Sequence, residues 1–372
     1  MRIDSSQISK NRFMFSLACF LQSSALLTSF VAGVTEQDSW FAVLISLVIV
    51  IPLIYLYRTI MVMFPGKNYI QVLEDVFGLV LGKIFGIAYA WFFITLASLN
   101  LLDLGDFTKV TVLRDTPQIV LSVMCILVGA LAVRNGLKVV VRYSSVFTII
   151  EFAIVGFSIL LLLGQLNFQN FLPVFDMPAV KYVQGAHIIT TIPFGELVTF
   201  LMITPNVKLS RRDATKYWFL GAGMGILTIV VVLLRDIAVL GNTMHLFALP
   251  GLMTMRLVFI GDALSRIEII FAVALIMLLF FKITFLCYVS TIAIAQLFRT
   301  TRFKHLALVV GAFILAYMPT LFSSSVEHAV TGQEAVPFIW TPFEVLIPLT
   351  VFIVAKVRKL PTAVNSVKEQ EA

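Results

Sequence analysis

Three ionisable side chains fall inside apolar runs where burial makes charge costly. Glu196 closes the stretch Thr190-Thr191-Ile192-Pro193-Phe194-Gly195-Glu196, Glu151 lies midway along another run, and Lys282 sits among Phe280, Phe281 and Ile283 in a third. Such groups suit the binding of a polar ligand or an ion, because a buried charge needs a partner. They do not suit bond-breaking. His187, His245, His305 and His328 are scattered without metal-ligand spacing, no glycine loop is built to cradle phosphate, and no Ser/His/Asp set is placed for hydrolysis. No enzyme, cofactor or metal site is expected. Pro193 removes a backbone donor and clashes with the previous turn, and Gly195 loosens the chain beside it. In lipid every backbone polar group must find a partner. The stretch is therefore either an interrupted helix lining a binding site or a kinked helix carrying a neutral Glu196 with no ligand.

The other two charges leave similar choices. Ser144, Thr148, Glu151 and Ser158 share one helical face, a polar stripe that must turn to protein or water. An ammonium at Lys282 needs a partner to hold its charge. It pairs with Glu151 or Glu196, or it takes the place of a coupling cation, or it forms a structural ion pair with no transport role. Tyr89, Asn100 and Asp103 also share a face, where Asn100 either contacts a ligand or bonds a neighbouring helix.

The elements that position these groups follow from composition. The 372 residues are 60% hydrophobic and 13% charged, with mean hydropathy +1.00, beyond the range of soluble domains. Apolar runs long enough to cross a bilayer place ten spans at about 12–33, 40–63, 84–104, 117–133, 143–163, 183–204, 214–236, 267–297, 304–323 and 337–356. The net charge of +7 does not imply nucleic acid, since 20 of the 27 basic residues fall in segments on one side of this arrangement. The positive-inside rule then puts both termini in the cytoplasm. The first ten residues are polar, and no cleavable signal is expected. Cys19, Cys125 and Cys287 lie in apolar spans as inert thiols.

The expected organisation is a cytoplasmic N-terminus (1–11), one ten-span domain (12–356, halves about 12–163 and 183–356) and a disordered cytoplasmic tail (357–372). Five spans per half invert the second half relative to the first. Transporters built this way bind substrate at the midplane, where the first helix of each half is interrupted. In span six that interruption is Pro193 to Gly195. In span one its counterpart is the small, polar patch Gln22-Ser23-Ser24-Ala25-Leu26-Leu27-Thr28-Ser29, which either unwinds locally or bonds back to its own helix. Residues 68–82, with Ile70, Leu73, Phe77 and Val80 near one face, are expected to lie on the cytoplasmic interface. Residues 245–261, broken at Pro250-Gly251, are expected to cap the outer mouth, and 164–184 to form a loop that packs there. Asp262, Arg266 and Glu268 are read as structural or gating charges at interface depth.

Several stretches together resemble a known family. They are Thr35-Glu36-Gln37-Asp38-Ser39-Trp40 opening span two, Phe64-Pro65-Gly66-Lys67, Gly82-Lys83, Arg114-Asp115-Thr116-Pro117 opening span four, Pro193-Phe194-Gly195-Glu196, and Arg266-Ile267-Glu268 followed by Lys282. Over nearly its whole length the chain resembles the B subunit of GerA-type spore germinant receptors, the spore germination permease family of the amino acid–polyamine–organocation superfamily. The resemblance implies an all-α membrane protein with a LeuT-like 5+5 inverted repeat, lodged in the inner membrane of a bacterial spore. It implies a small nutrient ligand, often an amino acid, sometimes a sugar or an ion, and partnership with an A-type subunit and a C-type lipoprotein. Ligand contacts would come from spans one, three, six and eight: Ser23, Ser24, Ala25 and Thr28; Ala97 and Asn100; Phe194, Gly195 and Glu196; and Lys282. Many family members carry a Gly-x-Gly break in span one, whereas this chain has Ser23, Ser24 and Ala25. Side chains there narrow the room for a ligand carboxylate against backbone N–H groups, so the ligand is either smaller or not an amino acid. A permease moving amino acids or ions, and a scaffold needing no ligand, are the competing readings.

Overall fold

The computed structural model describes residues 3–112, 115–258 and 268–360. Its helices, in chain order, are α1 (Lys10–Gln22), α2 (Thr28–Thr35), α3 (Ser39–Met63), α4 (Tyr69–Phe77), α5 (Leu79–Thr111), α6 (Gln118–Arg134), α7 (Leu137–Val140), α8 (Ser144–Leu162), α9 (Ala179–Ile189), α10 (Arg211–Leu240), α11 (Pro250–Arg256), α12 (Glu268–Leu297), α13 (Phe303–Tyr317), α14 (Ser325–Glu334), α15 (Val336–Thr341) and α16 (Ile347–Val357). Eight stretches among the described residues are long and apolar enough to cross a bilayer, and α6 is a shorter apolar helix. One of the eight, Thr28–Met63, is counted as continuous. Its backbone divides at Glu36, where φ is 47° and the following turn is 3-10, so we treat α2 and α3 as separate helices.

Polar residues punctuate these helices where the sequence changes character. Ser9, Asn68, Ser210 and Ser324 cap α1, α4, α10 and α14 by accepting from backbone N–H groups in the first turn. Gln71 completes a reciprocal capping box with Asn68. Small residues set the closest approaches. A Cβ on Gly221 or Gly225 of α10 would press on Leu17 or Leu21 of α1, so this four-residue glycine spacing lets the two helices meet.

Three expected boundaries move. The segment after Lys67 ends at Gly78 rather than Gly82. Gly78 has φ +82°, a value glycine adopts without penalty, and Val80 belongs to the exposed side of α5. The apolar face of α4 is turned to the protein. Tyr69, Ile70, Val72, Leu73 and Val76 are buried and α4 packs on α5, since burying that face inside protein also satisfies Asn68 through Gln296. Span three is longer than expected, running through the whole of α5. Within 164–184, residues Phe168–Phe171 form a 3-10 turn and span six begins at Ala179. Arg235 is buried in α10 against Asp236 and Ser158. Arg114, Asp262, Arg266, Ile267 and the tail beyond 360 lie outside the described residues. Cys19 and Cys287 are buried and Cys125 is half-buried.

The N-terminal segment is tied to the body. The Ile8 N–H donates to the Asn206 carbonyl at 2.9 Å, and the Asn206 amide donates to the carbonyls of Asp4 and Ser6. The Asp4 carboxylate accepts from the Leu137 N–H and the Tyr288 hydroxyl, each at 2.9 Å.

Candidate functional site

Span six is interrupted where proline demands it. After α9 the chain makes a π turn over Thr190–Phe194, inside which Ile192 leaves helical geometry at φ −112°, ψ 103°. A 3-10 stretch, Gly195–Asn206, follows. Thr190 and Thr191 hydroxyls donate back to the carbonyls of Ala186 and His187, which also accept from the Thr190 backbone N–H at the end of α9. In span one, α1 and α2 are joined by a 3-10 turn, Ser23–Leu27, and the two interruptions touch.

Lys282 of α12 joins them. Its Nζ donates to Ser24 Oγ at 2.7 Å and lies 2.6 Å from Glu196 Oε2. It also sits 4.8 Å from the centroid of the Phe20 ring. All three polar residues are buried, so the ammonium and the carboxylate attract each other with little screening. Glu151 is not the partner of Lys282. Its stripe is buried as expected, but against α1 and α10: Ser144 meets Ser16, Thr148 donates to the Phe15 carbonyl, and Ser158 accepts from Arg235. Both Glu151 oxygens are without a hydrogen-bond partner among the described residues.

A second carboxylate adjoins the pair. Glu344, in a π turn over Pro342–Leu346, is fully buried and neither of its oxygens is hydrogen-bonded among the described residues. A Cβ on Gly195 would land on this carboxylate, so only glycine lets spans six and ten approach here. Pro348 has no N–H to offer the Glu344 carbonyl four residues back. The Tyr57 hydroxyl fills that role, 2.6 Å from the Glu344 carbonyl and 3.0 Å from that of Gly195. The Tyr89 hydroxyl serves the neighbouring Phe343 carbonyl, which turns Tyr89 toward span ten. Glu344 repeats the signal that marked span six, a proline and a carboxylate within an apolar run, and sequence reasoning passed over it.

Two adjacent cavities approach this cluster. The inner one, about 20 Å³, has room for about one water. Its polar wall is Asn100, Asp103, Glu196 and His328, and its apolar wall includes Leu27, Phe30, Ile192 and Trp340. The outer one, about 240 Å³, carries Asp103, Asp106, His245, Ser325, His328 and Gln333 among its lining. Leu27, Phe30, Asp103 and His328 border both. His328 Nδ1 lies 3.6 Å from Asp103 Oδ1, and its ring packs between Phe30 and Phe322. Asp106 accepts from the Ser325 hydroxyl.

Of the residues singled out from sequence, Asn100 and Glu196 line the inner cavity and Ser24 and Lys282 stand behind Glu196. Ser23 donates to its own helix at the Phe20 carbonyl. Thr28 does the same at Ala25, and this pair lines a separate cavity of about 10 Å³ toward α10 and α12. Ala97 and Phe194 are buried without lining the inner or outer cavity. Pro193 and Gly195 form the break itself. His328, Phe30 and Trp340 come from segments far apart in the chain, and no local pattern marked them. Among the described residues no group of three or more His, Cys, Asp or Glu is placed to hold a metal.

Comparison with known proteins agrees with this architecture. A family model described as "Spore germination protein" matches residues 7–325. The spore germination protein KB of Bacillus subtilis (strain 168) is 28% identical over 352 residues, 93% of this chain and 94% of that protein. The putative spore germination protein YfkT of the same organism is 25% identical over 326 residues, 87% and 89% of the two chains. Among solved structures, Mhp1, a nucleobase-cation-symport-1 family transporter in a closed conformation, aligns with TM-score 0.62 at 15% identity, covering 89% of this chain and 75% of its own. MhsT in complex with L-phenylalanine aligns with TM-score 0.58 at 12% identity, covering 95% and 99%. The fold is therefore that of the LeuT-like transporters, in an integral, multi-pass membrane protein. The match over most of its length means that this chain belongs to the spore germination permease family.

Proposed function

We propose that the protein is the nutrient-sensing membrane subunit of a spore germinant receptor. It binds a small germinant between the interrupted stretches of spans one and six and passes the change to A-type and C-type lipoprotein subunits. In this reading the chain crosses the spore inner membrane ten times with both termini cytoplasmic. One observation carries the reading. A buried ammonium, Lys282, ties Ser24 of one interruption to Glu196 of the other, and Glu196 reaches the inner cavity. A ligand group arriving in that cavity competes for Glu196, and so acts on the contact between the two halves.

The test is a nutrient screen on spores lacking this gene, complemented with wild-type chain or with variants that still assemble. Loss of response to one nutrient, restored by the wild type but not by Glu196→Gln, is expected. Normal germination with every nutrient, in a strain also lacking paralogous receptors, overturns the reading.

The alternative is a proton- or ion-coupled amino acid permease. Glu151 and Glu344 favour it, because buried carboxylates without partners are the groups that a coupling ion or proton would engage. Accumulation of labelled amino acid in vesicles containing this chain alone separates the two readings.

A further inference from the structure

The walls of the two cavities are unequal in sign. Asn100 is 3% exposed, and its amide N–H₂ donates to the Leu96 carbonyl. That bond fixes the orientation of the group and leaves Oδ1 without a partner on the inner cavity wall. Beside it stand the carboxylates of Asp103 and Glu196. The outer cavity adds Asp106, and among the described residues neither cavity includes a lysine or an arginine in its lining, while Lys109 and Arg256 line an adjoining cavity that shares Asp106 and Ser325. The inner cavity thus offers one unused amide acceptor and two carboxylates, against the single imidazole of His328.

The groups that would hold a carboxylate are occupied. Lys282 is engaged by Glu196 and Ser24. The span-one turn is not unwound: the Ser23 N–H reaches the carbonyls of Cys19 and Leu21, and the Thr28 N–H that of Ala25. A ligand carboxylate entering the inner cavity would meet Asp103 and the Lys282-paired Glu196, with no lysine or arginine among the described residues of that lining, an arrangement that disfavours it at close range in a low dielectric.

We infer that this site selects a germinant bearing a primary ammonium and no carboxylate, whose head enters the inner cavity against Asn100, Asp103 and Glu196 while its body stays in the outer one. The sizes agree, since the inner cavity admits a group about the size of one water and the outer cavity is some ten times larger. Phe30, an aromatic ring at the border of the two, is a residue type whose face attracts a cation. An ammonium bound at Glu196 also competes with Lys282 for the same carboxylate. The inference rests on the receptor reading above for the location of the site, and adds to it the class of ligand.

The experiment uses the purified full-length chain in nanodiscs and isothermal titration calorimetry with three probes of similar size: L-alaninamide, L-alanine and propionate. The expected order is alaninamide at least tenfold tighter than alanine, with propionate not binding. The Asp103→Asn variant should weaken alaninamide at least tenfold. If that variant does not fold, the selectivity of the wild-type chain decides alone. Alanine or propionate binding as tightly as alaninamide overturns the inference, and so does the absence of alaninamide binding. In those cases the receptor reading survives if the deletion strain still loses a nutrient response, and it falls separately if that strain germinates normally.

Discussion

The two interruptions at the centre of the molecule are made differently. In span six the chain is forced apart: Pro193 cannot continue the α9 hydrogen-bond ladder, and Ile192 has left helical geometry. In span one nothing in the backbone forbids a helix. Ser23–Leu27 only tightens from α to 3-10, with the Ser23 and Thr28 hydroxyls bonding to carbonyls of their own turn. One break is written into covalent structure and the other is held by side chains. The forced break fixes the backbone beside Glu196, while the softer one keeps a helical hydrogen-bond pattern with Ser24 held by Lys282. The asymmetry suits a receptor in which one half reports and the other responds.

Lys282→Met is the sharpest way to break this comparison. It leaves Glu196 buried without its counter-charge, and removing one partner of a buried pair costs about 3–5 kcal/mol. The melting temperature and yield of assembled protein should fall together. Adding Glu196→Gln should recover much of the stability but no nutrient response. If Lys282→Met melts like the wild type, the ion pair does not join the halves.

Ser24→Ala should cost less, about 1.5–3 kcal/mol for one hydrogen bond to a charged group, and thermal unfolding in nanodiscs measures it. Gly195→Ala places a methyl group on the Glu344 carboxylate, and overpacking of this kind costs about 1–3 kcal/mol. A part of that loss should return in the double variant with Glu344→Ala, a coupling that a distant site would not give. Ser23→Gly probes the soft break. Glycine inside a helix costs about 0.5–1 kcal/mol, so melting should shift little. A shift as large as that of Gly195→Ala would mean that span one is as constrained as span six.

The smallest effect concerns the N-terminal segment. Burial of Asp4 works against its ionised form, but hydrogen bonds from Leu137, Ser6 and Tyr288 outweigh it and hold the carboxyl below its ordinary value of 3.8. A carboxyl lowered by folding stabilises the protein above 3.8, and that contribution disappears as pH falls through the folded value. Thermal unfolding of the wild type should therefore weaken in acid more than that of Asp4→Asn. Parallel pH profiles would show that the segment is not held through this carboxylate.

Much of the architecture was legible before any fold was known. Apolar runs of bilayer length and a proline beside a carboxylate in span six are local properties, and each acts through the cost of exposing charge or unpaired backbone to lipid. The burial of the Glu151 stripe was legible for the same reason. The partner of Lys282 was not, because Glu151 and Glu196 satisfy the same rule and only packing brings one of them to 2.6 Å. The inward docking of α4, the meeting of Glu344 with Gly195, and the closure of the inner cavity by Phe30 and His328 were also hidden. Each joins residues from distant parts of the chain, so it depends on how the helices turn and slide against one another. Hydrophobicity specifies that a helix is buried in lipid or protein. It does not specify which neighbour each side meets, and that choice is made by the close fit of side chains such as Gly195 against Glu344 and Gly225 against Leu21.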